Sequence, residues 1–157
     1  MPYIFDANTL LEAKNRYYSF DVCPGFWDWL LQERMRGEVL SIMAVKNELT
    51  DPDAQSWSKI NSTFFLPNDD SKMAEISVWV MAQPRFVQSA KEKFLSGADP
   101  RVISTALANG YTVVTQEVSA PRSKGKVKIP DVCTALKVNC RNTFEVLAEL
   151  EARFILE

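Results

Sequence analysis

Three acidic side chains stand where a folded chain can gather donors for a cation. Asp6 directly follows the apolar run Tyr3-Ile4-Phe5, Glu48 comes shortly after Val39 to Ile42, and Asp99 opens the segment that precedes Tyr111 to Thr115. Glu117, two residues past Thr115, and Asp131, beside Pro130, are further candidates. Carboxylate oxygens are the hard donors that Mg²⁺ and Mn²⁺ take. Several of them gathered without basic partners repel one another unless a divalent ion fills the space between them. An ion so held activates water and neutralises charge on a phosphate, which is the chemistry of metal-assisted phosphodiester hydrolysis.

The absence of histidine sharpens this reading. A chain with none cannot run a His-based acid/base ribonuclease mechanism, a Ser-His-Asp or Cys-His hydrolase, or an imidazole-ligated metal centre. Carboxylates remain the instruments. A formal net charge of −2 lacks the basic footprint of a protein held to nucleic acid by charge alone. With the four acids Asp6, Glu48, Asp99 and Glu117 set aside, the rest of the chain carries +2.

Each acid also has an ordinary structural use. In Gly97-Ala98-Asp99-Pro100, Asp99 reads as the N-cap of a helix with Pro100 at its first position. Glu48 reads as a solvated helix residue and Asp131 as another cap. Asp6 has few such uses, because an acid straight after three apolar residues at the end of a central strand is rarely there for packing.

The elements that must position these residues follow from pattern. Pro2 to Phe5 predicts a buried strand and Leu10 to Tyr18 a helix. Phe26 to Arg36 places Phe26, Trp27, Leu30 and Leu31 on one helical face, with Gly37 as the stop. Val39 to Ile42 predicts a second strand, followed by a helix carrying Val45, Glu48 and Leu49. From Asp51 to Phe94 the chain is helical in character, with breaks at Pro52, Pro67 and Pro84; Asp69 or Ser71 is placed to cap one helix and Pro84 to begin another. A helix through Val102, Ile103, Ala106 and Leu107 ends at Asn109-Gly110, and Tyr111 to Thr115 is a strand. Pro121 to Lys128 reads as a loop, Val127 to Ile129 as a short extended piece, Pro130-Asp131 as a helix start, Val138 to Cys140 as a short strand, and Thr143 to about Phe154 as the last helix.

Strands alternating with helices imply an α/β fold: three layers, α/β/α, around a mostly parallel sheet of four to five strands with right-handed crossovers. Such sheets bind ligands outside the carboxyl ends of their strands, where Asp6, Glu48 and Asp99 are expected. At 157 residues and 46% hydrophobic, residues 1–157 read as a single domain. Cys23, Cys133 and Cys140 form no Cys-x-x-Cys pair and read as reduced, partly buried thiols. No apolar stretch of membrane-spanning length and no leader pattern is apparent, so no membrane association is expected and the cytoplasm is the expected location.

Tyr3-Ile4-Phe5-Asp6-Ala7-Asn8-Thr9-Leu10-Leu11 resembles the opening motif of PIN-domain ribonucleases. Val45-Lys46-Asn47-Glu48-Leu49 is similar to their second motif, and Gly97-Ala98-Asp99-Pro100 through Val113-Val114-Thr115-Gln116-Glu117 to their third and fourth. Ile129-Pro130-Asp131-Val132-Cys133 resembles the ending of a PIN-like family of prokaryotic proteins. The resemblance runs from residue 3 to about 145. It implies a PIN fold and a metal-dependent endoribonuclease, with Asp6, Glu48, Asp99 and Glu117 as catalytic, Mg²⁺- or Mn²⁺-binding acids. The fourth acid of the family is usually Asp, so Glu117 is a longer substitute and Asp131 an alternative metal ligand.

Asn8 and Thr115 are placed to orient the ligands from behind, and Arg122, Lys124, Lys126 and Lys128 form the densest basic segment, suited to gripping an RNA backbone. The resemblance also implies a toxin role with an antitoxin protein as partner, and a homodimer. The rival readings are a non-catalytic nucleic-acid- or protein-binding module with the same fold, and a HAD-like phosphatase, which needs an Asp where this chain has Asn8.

Overall fold

The computed structural model describes residues 2–156. Its centre is a five-stranded, all-parallel sheet in the order β3-β2-β1-β4-β5. The strands are β1 (Tyr3–Phe5), β2 (Val39–Ile42), β3 (Phe65–Leu66), β4 (Thr112–Val114) and β5 (Cys140–Arg141). Every residue of β2 and β4 is buried, as expected of parallel strands covered on both faces. Register brings Ile4 against Leu40 on one side and Val113 on the other.

Among the described residues, nine α-helices flank the sheet in a three-layer α/β/α arrangement: α1 (Ala7–Glu12), α2 (Pro24–Met35), α3 (Met43–Glu48), α4 (Pro52–Ile60), α5 (Met73–Ala82), α6 (Gln88–Ser96), α7 (Asp99–Asn109), α8 (Ile129–Leu136) and α9 (Thr143–Glu149). The chain leaves β1 for β2 and β3 in one direction, then returns to β4 and β5 in the other. Right-handed crossovers therefore place the two sets of helices on opposite faces, and the strand order reverses between β1 and β4. Helix α7 packs on both β1 and β4, and it also meets α3, which enters from the other half of the sheet.

Gly110, at φ +73°, ends α7 where Asn109-Gly110 predicts the stop. The first helix departs from its expected span: α1 starts at Ala7 and passes into a π-helical turn, Ala13–Tyr17. The region expected to be helical holds β3, whose two residues are too few to show a strand's alternation beside Phe64. Pro52 starts α4 instead of breaking a helix, with Asp51 capping through Ala54 N. Neither Asp69 nor Ser71 caps α5, where Lys72 holds the N-cap position. Pro84 lies ahead of α6, which begins at Gln88. Val127 to Ile129 is not a strand, since α8 already starts at Ile129.

The last helix stops at Glu149, short of Phe154. The Phe154 ring instead turns back on Tyr18, Phe26 and Trp29, with centroids 6.3, 6.4 and 6.2 Å away. All four tryptophans pack in or against the core, and Trp27 meets Trp57 edge-on at 5.0 Å. Three free thiols, Cys23, Cys133 and Cys140, are present.

Candidate metal centre

Asp6 leaves β1 at its carboxyl end, beside the point where the strand order reverses. Its backbone N–H donates to Val114 O at 3.2 Å, so the acid is stitched to β4 as well as to its own strand. It is 1% exposed. Contrary to the sequence expectation, it has a structural use: Oδ1 accepts the Thr9 N–H at 2.7 Å and caps α1. The second oxygen, Oδ2, is buried and has no hydrogen-bond partner. A buried carboxylate oxygen without a donor is costly, and such orphans mark either a protonated acid or the position of a cation. Burial pushes the Asp6 carboxyl up to about 6 with Glu117 adding to the rise, while the Thr9 and Thr115 hydroxyls oppose it.

Asp99 does not take the cap position that the sequence around it suggests. The N-cap of α7 is Ala98, so Asp99 is already the first helical residue, Pro100 the second, and the Asp99 side chain is not the cap. Burial first, then the charges of Asp6, Glu117 and Glu48 in that order, push its carboxyl up to about 7; Lys126 acts against them. Four acids from four separate segments thus share one electrostatic neighbourhood.

Glu48, at the end of α3, crosses to the start of α7: its Oε1 accepts the Ala98 N–H at 2.7 Å. Gly97 lets it approach, since a Cβ there would lie 3.3 Å from the same oxygen. Glu117 lies three residues past the end of β4. Its N–H donates to Thr115 Oγ1 at 3.1 Å, and its Oε1 accepts the Ile129 N–H at 3.2 Å at the start of α8. Lys126 Nζ stands 2.9 Å from Oε2 as an ion pair without the alignment of a hydrogen bond, and Lys128 Nζ stands at 3.8 Å.

The other expected residues divide. Thr115 is buried and braces Glu117 from below. Asn8 is exposed and holds no ligand; the bracing expected of it is done by Thr9, whose N–H binds Asp6 and whose hydroxyl donates to Val114 O at 3.3 Å. Asp131 lies outside the group that acts on Asp99: its oxygens accept from Ser119 Oγ at 2.5 Å and Ala120 N at 3.0 Å, fastening the loop after β4. Arg122 and Lys124 are exposed, whereas Lys126 and Lys128 turn toward Glu117.

Beside the acids lies a cleft of about 290 Å³ lined by Glu48, Lys93, Phe94, Asp99, Gly125 and Lys126, among others. Sequence reasoning missed Lys93, which α6 brings to this wall, and Thr9, which acts on Asp6 through both its side chain and its backbone N–H.

Among the described residues, no three His, Cys, Asp or Glu side chains form a ready metal cage. Glu48 is drawn toward Ala98 N, and Glu117 toward two lysines and Ile129 N. The donor set nevertheless fits a hard divalent ion. All four donors are carboxylates, two buried oxygens, Asp6 Oδ2 and Glu117 Oε2, have no hydrogen-bond partner, and the mutual repulsion has few cations to offset it.

The fold and this cluster define a parallel three-layer α/β/α protein with an acidic centre where its strand order reverses. Over residues 3–154 the chain matches the family model described as a domain of unknown function (DUF4411), and it belongs to that family. No curated protein and no solved structure matches it. Among the described residues, no helix is long and apolar enough to cross a membrane.

Proposed function

We propose that this protein is a Mg²⁺- or Mn²⁺-dependent endoribonuclease of the PIN type. What supports the reading is the buried, unpartnered Oδ2 of Asp6 at the carboxyl end of β1, beside the β1/β4 reversal where open parallel sheets bind ligands, together with the charges of Asp6, Glu117 and Glu48 acting on Asp99. Asp6, through its unpartnered Oδ2, and Asp99 would hold the ion, with Glu48 and Glu117 completing its surroundings directly or through water. A bound divalent ion supplies Lewis acidity toward water and phosphate oxygens.

The protein's own contribution is placement. Thr9 fixes one Asp6 oxygen and leaves the other without a partner, and Thr115 accepts the Glu117 N–H just past β4. The cleft beside Asp99 gives an RNA strand a wall carrying Lys93 and Lys126. By the same resemblance, the proposal extends to a cytoplasmic toxin restrained by an antitoxin protein, and to a homodimer.

The test is cleavage of end-labelled single-stranded RNA by the purified full chain with Mn²⁺ or Mg²⁺, with chelator, and with Asp6→Asn. Cleavage should require the ion and vanish in the variant while the folded circular-dichroism spectrum persists. Cleavage surviving chelator or the variant would refute the reading. A wild-type chain that neither cleaves nor binds Mn²⁺ is a non-catalytic module.

A further inference from the structure

A ready-made metal site would not contain lysines, yet Lys126 and, farther off at 3.8 Å, Lys128 stand against Glu117 Oε2. The Lys126 ammonium group is 2.9 Å from that oxygen and is the cation that offsets the charge around Asp99. The partners differ in exposure: the Glu117 side chain is 6% exposed and that of Lys126 is 59% exposed. The acid is therefore fixed, while the lysine has room to leave. The backbone around it is held, with Val87 N donating to Lys124 O at 3.0 Å and Ile129 N to Glu117 Oε1 at 3.2 Å. The neighbouring Gly125 meets no atom within 4 Å of the place its Cβ would take, so the side of the cleft next to Lys126 is open. Lys93 stands in the lining of the same cleft.

We infer that Lys126 is an exchangeable counter-ion: it neutralises Glu117 in the metal-free protein and transfers to a backbone phosphate of the bound RNA strand, which frees Glu117 for the divalent ion. The inference rests on the metal-nuclease reading and adds an order to it. The exchange is favourable in charge. A phosphodiester replaces a carboxylate on Lys126, a divalent ion replaces an ammonium on Glu117, and no group is left buried and unpaired. Lys93 helps receive the strand. The device keeps the acids from closing on an ion until substrate is present, so ion and RNA assist one another's binding.

Calorimetric titration of the full chain with Mn²⁺ alone, and separate titration with a short single-stranded RNA in chelator, test this on wild type, Lys126→Met, Lys126→Arg and Asp6→Asn. Removing a competing cation of an exposed pair should tighten Mn²⁺ binding by about fivefold in Lys126→Met, and RNA binding in chelator should weaken by a similar factor. Lys126→Arg keeps the pair and should follow wild type. Mn²⁺ affinity unchanged or weaker in Lys126→Met overturns the inference while leaving the nuclease reading standing. Equal Mn²⁺ binding by wild type and Asp6→Asn removes that reading itself. Because the Lys126 side chain is largely exposed, folding is expected to survive; if thermal melting shows otherwise for Lys126→Met, Lys126→Gln carries the same expectation.

Discussion

The backbone N–H of Ala98 donates to Oε1 of Glu48 at 2.7 Å, tying the end of α3 to the first turn of α7. These helices belong to opposite halves of the sheet, and the bond spans the point where the strand order reverses. Residue 99 follows immediately, so the bond also fixes where Asp99 enters the acidic centre. Glu48 thus supports the geometry of the site and contributes charge to it, two roles that substitutions can separate.

Gly97→Ala addresses the first role. The backbone at Gly97, φ −92° and ψ −172°, is extended and open to alanine, so the effect is steric: the new Cβ would lie 3.3 Å from Glu48 Oε1. Glu48 must shift by a few tenths of an ångström. Stability should fall by no more than about 1 kcal/mol, with Mn²⁺ affinity falling severalfold by calorimetry. A loss of stability with unaltered affinity would make Glu48 a structural brace only.

The outline of the site was readable because it depends on strong local signals. Tyr3-Ile4-Phe5 ahead of Asp6 marks a buried strand end, and Asn109-Gly110 marks the end of α7. The roles of the two aspartates were reversed, since the sequence around Asp99 carries every sign of a cap. Whether Ala98 or Asp99 takes that position is decided by the Glu48 bond, fifty residues away in sequence. Lys126 was legible as a phosphate-gripping residue but not as the partner of Glu117, because the loop between them folds back only when Ile129 N finds Glu117 Oε1. Two-residue β3 carries too little pattern to compete with the helical composition on either side.

Asp131→Asn decides which acid is the fourth. Both Asp131 oxygens are engaged with Ser119 and Ala120. Mn²⁺ affinity should therefore stay within about twofold of wild type, whereas Glu117→Gln should lower it by about tenfold or more. Hydrogen exchange at residues 118–121 should quicken in Asp131→Asn as the loop loses its fastening. The opposite ranking of the two affinities would transfer the ligand role to Asp131.

Thr115→Val probes the brace beneath the site. It leaves the Glu117 N–H without its acceptor, a loss of about 1 kcal/mol for this half-buried donor. It also removes one of the hydroxyls that hold down the Asp6 carboxyl, so that group should titrate above its present value of about 6. Carboxyl-detected NMR titration of the metal-free protein reads the shift directly. An Asp6 midpoint that stays put would mean that Thr115 acts on Glu117 alone.

The acids also fix how metal-free stability depends on pH. Asp6 and Asp99, ordinarily near 3.8, are pushed up to about 6 and about 7, by burial first and then, for Asp99, by Asp6, Glu117 and Glu48. A carboxyl raised in the folded state binds its proton more tightly there than in the unfolded chain. Its contribution is therefore fully present below about pH 4 and is lost as pH rises through about 6 to 7. Asp51, Asp69 and Glu149 are held below their usual range, Asp51 by the Ala54 N–H, Asp69 by Ser71 and Glu149 by Tyr3. Their contributions are lost only as pH falls through a more acidic window. Denaturant melts in chelator should show the wild type weakening between about pH 4 and pH 7. Asp99→Asn should weaken less and exceed the wild type by roughly 1–3 kcal/mol at the upper end. Added Mn²⁺ should oppose the wild-type decline, because the ion binds the ionised acids and stabilises the folded state more as they deprotonate. A metal-free wild type that instead strengthens over this range, with Asp99→Asn the weaker protein at its upper end, would mean that burial and the neighbouring acids do not raise the Asp6 and Asp99 carboxyls.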